Sequence, residues 1–135
     1  MMEGLSLIAE KLTQVMRNIE IAKGNRNRYF DENVKLIAVT KNHDVNAMRE
    51  AIDHGVKFVG ENRIQEAMQK VETLNRSVEW HLIGHLQTNK AKYAVDLFDL
   101  IHSIDSERLM AEVNRVANKI NKIQKVLLQV NVSEE

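Results

Sequence analysis

The chain contains no cysteine and no proline, only five glycines, and few aromatic side chains: one Trp, two Tyr and three Phe. Without cysteine there is neither a disulfide framework nor a thiolate metal site. Zero proline departs from average usage, which would place about seven in a chain of this length. Charge of one sign is also missing, because 19 Lys and Arg balance 19 Asp and Glu. That balance speaks against nucleic acid as the main partner. No apolar run approaches the ~18 residues of a membrane helix. Residues Met1 to Lys11 include Glu3 and Glu10 and show no basic-then-apolar leader pattern. What remains is a chain of 135 residues, 44% apolar and 28% charged. This composition is too apolar for disorder, and it leads us to expect a soluble, cytoplasmic α/β domain without membrane contact.

Two periodicities alternate along the chain. Leu5, Ile8, Leu12, Val15, Ile19 and Ala22 recur at steps of three and four. They predict an N-terminal helix within residues 1–24, stopped at Gly24. Val34 to Thr40 is short, β-branched and nearly all apolar, as a strand buried on both faces would be. Asp44 is placed to cap a helix with Ala47, Met48, Ala51 and Ile52 inside, ended by Gly55. Further strands are expected at 57–60, 80–84, 100–104 and 125–132. Helices carrying Ile64 to Leu74, Ala91 to Phe98 and Leu109 to Ile120 separate them, the last capped by Ser106. Strand starts fall about 20–25 residues apart, the spacing of βαβ units in a parallel sheet. The pattern permits an open doubly wound sheet or the first five strands of a (β/α) barrel, which typically needs ~250 residues.

Ligands of parallel α/β folds gather at the carboxyl ends of the strands. Lys41 leaves the first strand there, after five apolar residues in six. Held against a barrel interior, such an amine would lose hydration and become available as a nucleophile toward an aldehyde. A solvated strand-end lysine, or one paired with Glu61, is the alternative. Asn62 and Asn89 could hydrogen-bond a ring substituent, or simply belong to turns. His81, His85 and His102 lack the spacing of a metal set, and no metal site is expected. Gly60 and Gly84 suggest close backbone approach. Neither a GxGxxG nor a GxxxxGK[ST] loop is present. Arg115, Lys119, Lys122 and Lys125 read as a solvated face. Lys23, Arg26 and Arg28 read as a solvated basic loop.

Five segments stand in a specific order: Ala38-Val39-Thr40-Lys41, Phe58 to Glu66, Trp80 to Lys90, His102 to Ser106 and Val130 to Ser133. Together they resemble the pyridoxal phosphate homeostasis proteins, also called the proline synthase co-transcribed family. The resemblance covers nearly the whole chain, and the segment Trp80 to Lys90 is its most specific part. It implies an α/β fold of parallel βα units of a TIM barrel, like the N-terminal barrel of alanine racemase. Residues 1–135 would form a single partial barrel domain, ending after strand five. It implies pyridoxal 5′-phosphate as cofactor, with Lys41 as its Schiff-base lysine. Asn62, His81, His102 and Ser103 would line the same mouth. It implies no catalytic turnover, and storage or delivery of the cofactor to pyridoxal-phosphate-dependent apoenzymes. A racemase-like enzyme and a remnant without cofactor binding are the alternatives. The resemblance also places the phosphate anchor in later strands, outside these residues. His43 stands where many members carry a second lysine. With five strands, the sheet would have two open edges, through which self-association is expected.

Overall fold

The computed structural model describes residues 6–26 and 33–133. Leu5, Arg28, and with it part of the expected basic loop, lie outside the described residues.

The first helix, α1, runs from Leu7 to Asn25. Ser6 starts it by accepting a hydrogen bond from the Ala9 amide at 3.1 Å. It passes through Gly24, and Arg26 forms its cap. One glycine in an exposed last turn weakens a helix without ending it. Strand β1 (Ile37–Val39) follows, then α2 (Val45–Asp53), β2 (Phe58–Glu61), α3 (Ile64–Leu74), β3 (Glu79–Leu82), a single 3-10 turn, α4 (Ala91–Leu97), β4 (Leu100–Ile104), α5 (Glu107–Lys119) and β5 (Lys125–Leu128). The caps expected of Asp44 and Ser106 are present: Asp44 accepts from the Ala47 amide at 2.8 Å, and Ser106 from the Leu109 amide at 3.1 Å. Gly55 follows α2 with a φ of 110°, a conformation that favours glycine.

All five strands pair in parallel, in the order β1-β2-β3-β4-β5. That order decides between the two architectures the sequence permits. A doubly wound sheet reverses direction at a switch point. Here every strand lies beside its predecessor, so crossovers of one hand place all helices on one face. Each helix accordingly packs against the next, from α1 to α5. The result is four consecutive βα units and a fifth strand, of barrel type.

The core lies between sheet and helices. Val59, Leu82 and Ile101 project from the strands into Met48, Ala67, Leu74, Val95, Phe98, Leu109 and Val113. Lys122 joins this layer instead of the expected solvated face. Its amine donates to the Phe98 carbonyl at 2.8 Å and to the Val95 carbonyl, closing the end of α4. Burial holds its pKa below the ordinary lysine value.

β3 ends at Leu82, two residues short of the expected Gly84, and two edge strands are shortened further for one reason. β1 begins only at Ile37, where its partner Phe58 begins β2. β5 ends at Leu128, opposite the end of β4 at Ile104, with one further bond from the Gln129 amide to the Ile104 carbonyl. Residues beyond those points have no neighbouring strand to bond. As an edge strand, β1 is not buried on both faces, and Val39 is 50% exposed.

Candidate functional site

Lys41 occupies a turn immediately after β1. It is exposed, and its side chain engages no hydrogen bond or ion pair among the described residues. The dehydrating barrel wall expected around it is therefore absent: the chain has already left the edge strand, and Asn42 turns back at a φ of 62°. The suggested pairing with Glu61 is absent as well, because Glu61 faces the other way. It follows Val59 and Gly60 on β2, and alternation sends it with Val59 into the helix layer.

There Glu61 is completely buried. Its Oε1 accepts from Lys70 Nζ and from Thr40 Oγ1, both at 2.7 Å. Lys70, on α3, also donates to the Thr40 carbonyl at 2.7 Å and to Glu66 Oε1 at 2.9 Å. Glu66 Oε1 then accepts from the Asn42 amide at 2.7 Å. Its carboxyl is held below the ordinary value, first by the Lys70 hydrogen bond and further by the Asn42 amide, against an opposing effect of burial. Sequence reasoning missed this cluster. One part was visible, the i,i+4 spacing of Glu66 and Lys70.

Asn62 leaves β2 beside the Lys41 turn. The Thr40 amide donates to the Gly60 carbonyl, and the Ile83 amide to the Glu61 carbonyl, so strand pairing continues to this edge. Asn62 lines a pocket of about 220 Å³ with Arg63, Gln87 and Lys90. These three residues were not singled out in the sequence, although each belongs to a motif carrying the resemblance. Gly84 packs on the Asn62 backbone: a Cβ there would fall 2.4 Å from the Asn62 carbonyl oxygen. His85 reaches Asp105 at 3.9 Å, across the ends of β3 and β4. A larger cleft of about 400 Å³ opens at the opposite end, between α1 and the starts of β1 and β2. It is remote from Lys41.

The sheet face away from the helices carries a row of rings. His81 Nδ1 lies 2.9 Å from His102 Nε2, and Phe58 meets the His81 ring edge-on at 5.7 Å between centroids. One imidazole must donate and the other accept, so when both are neutral one of their two ring protons lies in the bond between them. Burial lowers both pKa values; His81 adds to the effect on His102, while Glu79 opposes it at His81. Ser103, next to His102 on β4, is buried. Ser103 Oγ and His81 Nε2 have no hydrogen-bond partner among the described residues. The structure thus joins His81 to His102 and leaves Lys41 and Asn62 on the segments that follow the paired strands β1 and β2. No direct contact links the two groups.

An all-parallel sheet wound as consecutive barrel units, with a free lysine at the carboxyl end of its first strand, defines a class of barrel. The family profile for the alanine racemase N-terminal domain matches residues 11–134. The chain belongs to that family. Its relatives carry a more particular name. A pyridoxal phosphate homeostasis protein of Aquifex aeolicus is 41% identical over 128 residues, 93% of this chain and 55% of the relative. The Escherichia coli K12 protein of the same name is 36% identical over 132 residues, 95% of this chain and 56% of the relative. PipY of Synechococcus elongatus PCC7942, solved with PLP bound, superposes with a TM-score of 0.79 at 39% identity, covering 95% of this chain and 56% of PipY. A Bifidobacterium adolescentis structure gives a TM-score of 0.82 at 33% identity. The chain therefore spans about half the length of the curated relatives it matches.

Proposed function

We propose that this chain takes part in pyridoxal 5′-phosphate homeostasis in the cytoplasm and holds the cofactor through a Schiff base on Lys41. The observation that carries this reading is the Lys41 amine: exposed, uncommitted, and at the carboxyl end of a barrel strand. The cofactor supplies an aldehyde, with which a neutral amine condenses by losing one water. The residues present fit that group. Lys41 offers the amine, and Asn62 offers donors and an acceptor for ring substituents. On the neighbouring strands, Ser103 Oγ is buried without a hydrogen-bond partner among the described residues, and His81 Nε2 lies 3.7 Å from the Glu79 carboxylate. His102 orients His81 through their shared proton.

Turnover is not part of the proposal. Among the described residues no hydrogen bond links the His81–His102 pair to Lys41, so neither imidazole is offered as an acid or base for it. The function is holding the cofactor and passing it to pyridoxal-phosphate-dependent apoenzymes. We place the phosphate anchor outside these residues, where barrels commonly bind phosphate after strands seven and eight. No helix among the described residues is long and apolar enough to cross a membrane.

Absorption spectroscopy tests the reading. Adding pyridoxal 5′-phosphate to the chain should produce a red-shifted band that Lys41→Ala abolishes without altering the circular dichroism. An equal band in Lys41→Ala would overturn it.

A further inference from the structure

We infer that Glu66 and Lys70 are positioning residues for Lys41: with Glu61 they form a partly buried clamp that fixes the backbone on both sides of the lysine. The inference rests on the reading of Lys41 as the aldehyde-capturing amine.

Lys41 itself touches none of these residues. Its neighbours do. On the amino side, the Thr40 carbonyl accepts from Lys70 Nζ at 2.7 Å, and the Thr40 hydroxyl donates to Glu61 at 2.7 Å. On the carboxyl side, the Asn42 amide donates to Glu66 at 2.7 Å. Residues 40 and 42 are thereby tied to α3, while residue 41 is left free to project. Asn42 adopts a left-handed φ of 62°, a conformation L residues rarely take without support. The amide bond to Glu66 provides that support.

The chemistry of the clamp suits a positioning role. An ammonium has three protons, and Lys70 spends all three, on Thr40, Glu61 and Glu66. Its amine is buried and fully bonded, so it offers no competing nucleophile beside Lys41. The helix that carries the clamp is fixed by Ala67 and Leu74, both buried in the core. The turn after an edge strand is in this way tied to a helix anchored in the core. Capture of an aldehyde by one chosen amine requires such restraint, because angstrom-scale misplacement of a reacting group lowers rates by up to about 100-fold.

The test separates the clamp from mere stability. Glu66 is the partly exposed member, so its replacement leaves the Lys70–Glu61 pair in place. Glu66→Ala removes the acceptor for the Asn42 amide, whereas Glu66→Gln keeps a carbonyl oxygen there. Hydrogen exchange at the Asn42 amide, measured without cofactor, should quicken about tenfold or more in Glu66→Ala and stay near wild type in Glu66→Gln. Borohydride trapping with pyridoxal 5′-phosphate, mapped by mass spectrometry, should show Lys41 labelling reduced about tenfold in Glu66→Ala and restored in Glu66→Gln. Unchanged exchange and labelling in a folded Glu66→Ala would overturn the clamp while leaving Lys41 as the anchor. Should wild type itself fail to label Lys41, the anchor reading falls. Asn42 exchange then decides the clamp alone: quickened in Glu66→Ala supports it, unchanged refutes it. In wild type, moreover, the Asn42 amide shift should follow the Glu66 carboxyl in acid; a flat titration also counts against the clamp.

Discussion

Gly84 shows how a single residue can hold the mouth of the sheet together. A methyl group there would press on the backbone of Asn62, at 2.4 Å from its carbonyl oxygen and 2.8 Å from its Cα. Backbone cannot rotate away as a side-chain tip can. Gly84→Ala should therefore destabilise the chain by about 1–3 kcal/mol, an overpacking effect, and displace Asn62. Denaturant midpoints check the first expectation, and an unaltered midpoint would show that β2 and β3 separate freely here. The close approach was legible in the sequence from glycine at a strand end. The partner of Glu61 was not, because alternation on β2 had first to be registered against α3. Likewise, Lys122 sits among charged neighbours in sequence, and only the docking of α5 on α4 brings it under the carbonyls of Val95 and Phe98.

At the scale of elements, most of the chain was readable. Every expected helix and strand is present, since each carries a strong periodic pattern and several carry a capping residue. Ends were less readable, because strand length depends on the neighbour. Val130 and Val132 look like strand residues, yet β4 stops at Ile104 and leaves them unpaired. The joining of β3 to β4 through His81 and His102 has a consequence for pH dependence. Both imidazoles titrate below the ordinary histidine value because burial disfavours their charged forms. The unfolded chain then binds more protons than the folded one, so stability rises with pH through this window. Stability contributed by the pair is complete above the unfolded histidine value of about 6.5, and it is lost as pH falls through the lowered folded values. Denaturant midpoints recorded from pH 7.5 to pH 5 (~2.5 units) should fall in wild type and fall less in His81→Gln/His102→Gln. Parallel slopes would mean that the two imidazoles bind protons alike in the folded and unfolded chains.

At the largest scale, the decisive property is that, among the described residues, β1 and β5 each have one bonded side. A strand edge presents a row of free amides and carbonyls, and proteins usually blunt it with charge or cover. The two edges here are unequally blunted. On β5 and just beyond it, Leu128 is 63% exposed, Val130 72% and Val132 88%; on β1, Val39 is 50% exposed. Joining β5 of one copy to β1 of another would continue the parallel order and repeat without a fixed end, whereas like edges related by a two-fold axis would close as a dimer. The greater apolar exposure near β5 makes that edge the stronger site in either arrangement. Sedimentation should accordingly reveal association that rises with concentration. Leu128→Lys should weaken it more than Val39→Lys, because the charge is placed on the more apolar edge. A wild-type chain that sediments as a monomer at every concentration would refute pairing through these edges, and equal effects of the two substitutions would refute the asymmetry. The same edges bear on cofactor retention, since Lys41 follows β1 directly. If pairing reaches that strand, Val39→Lys should change pyridoxal 5′-phosphate retention as well as association. If pairing uses β5 alone, Leu128→Lys should change association and leave retention untouched.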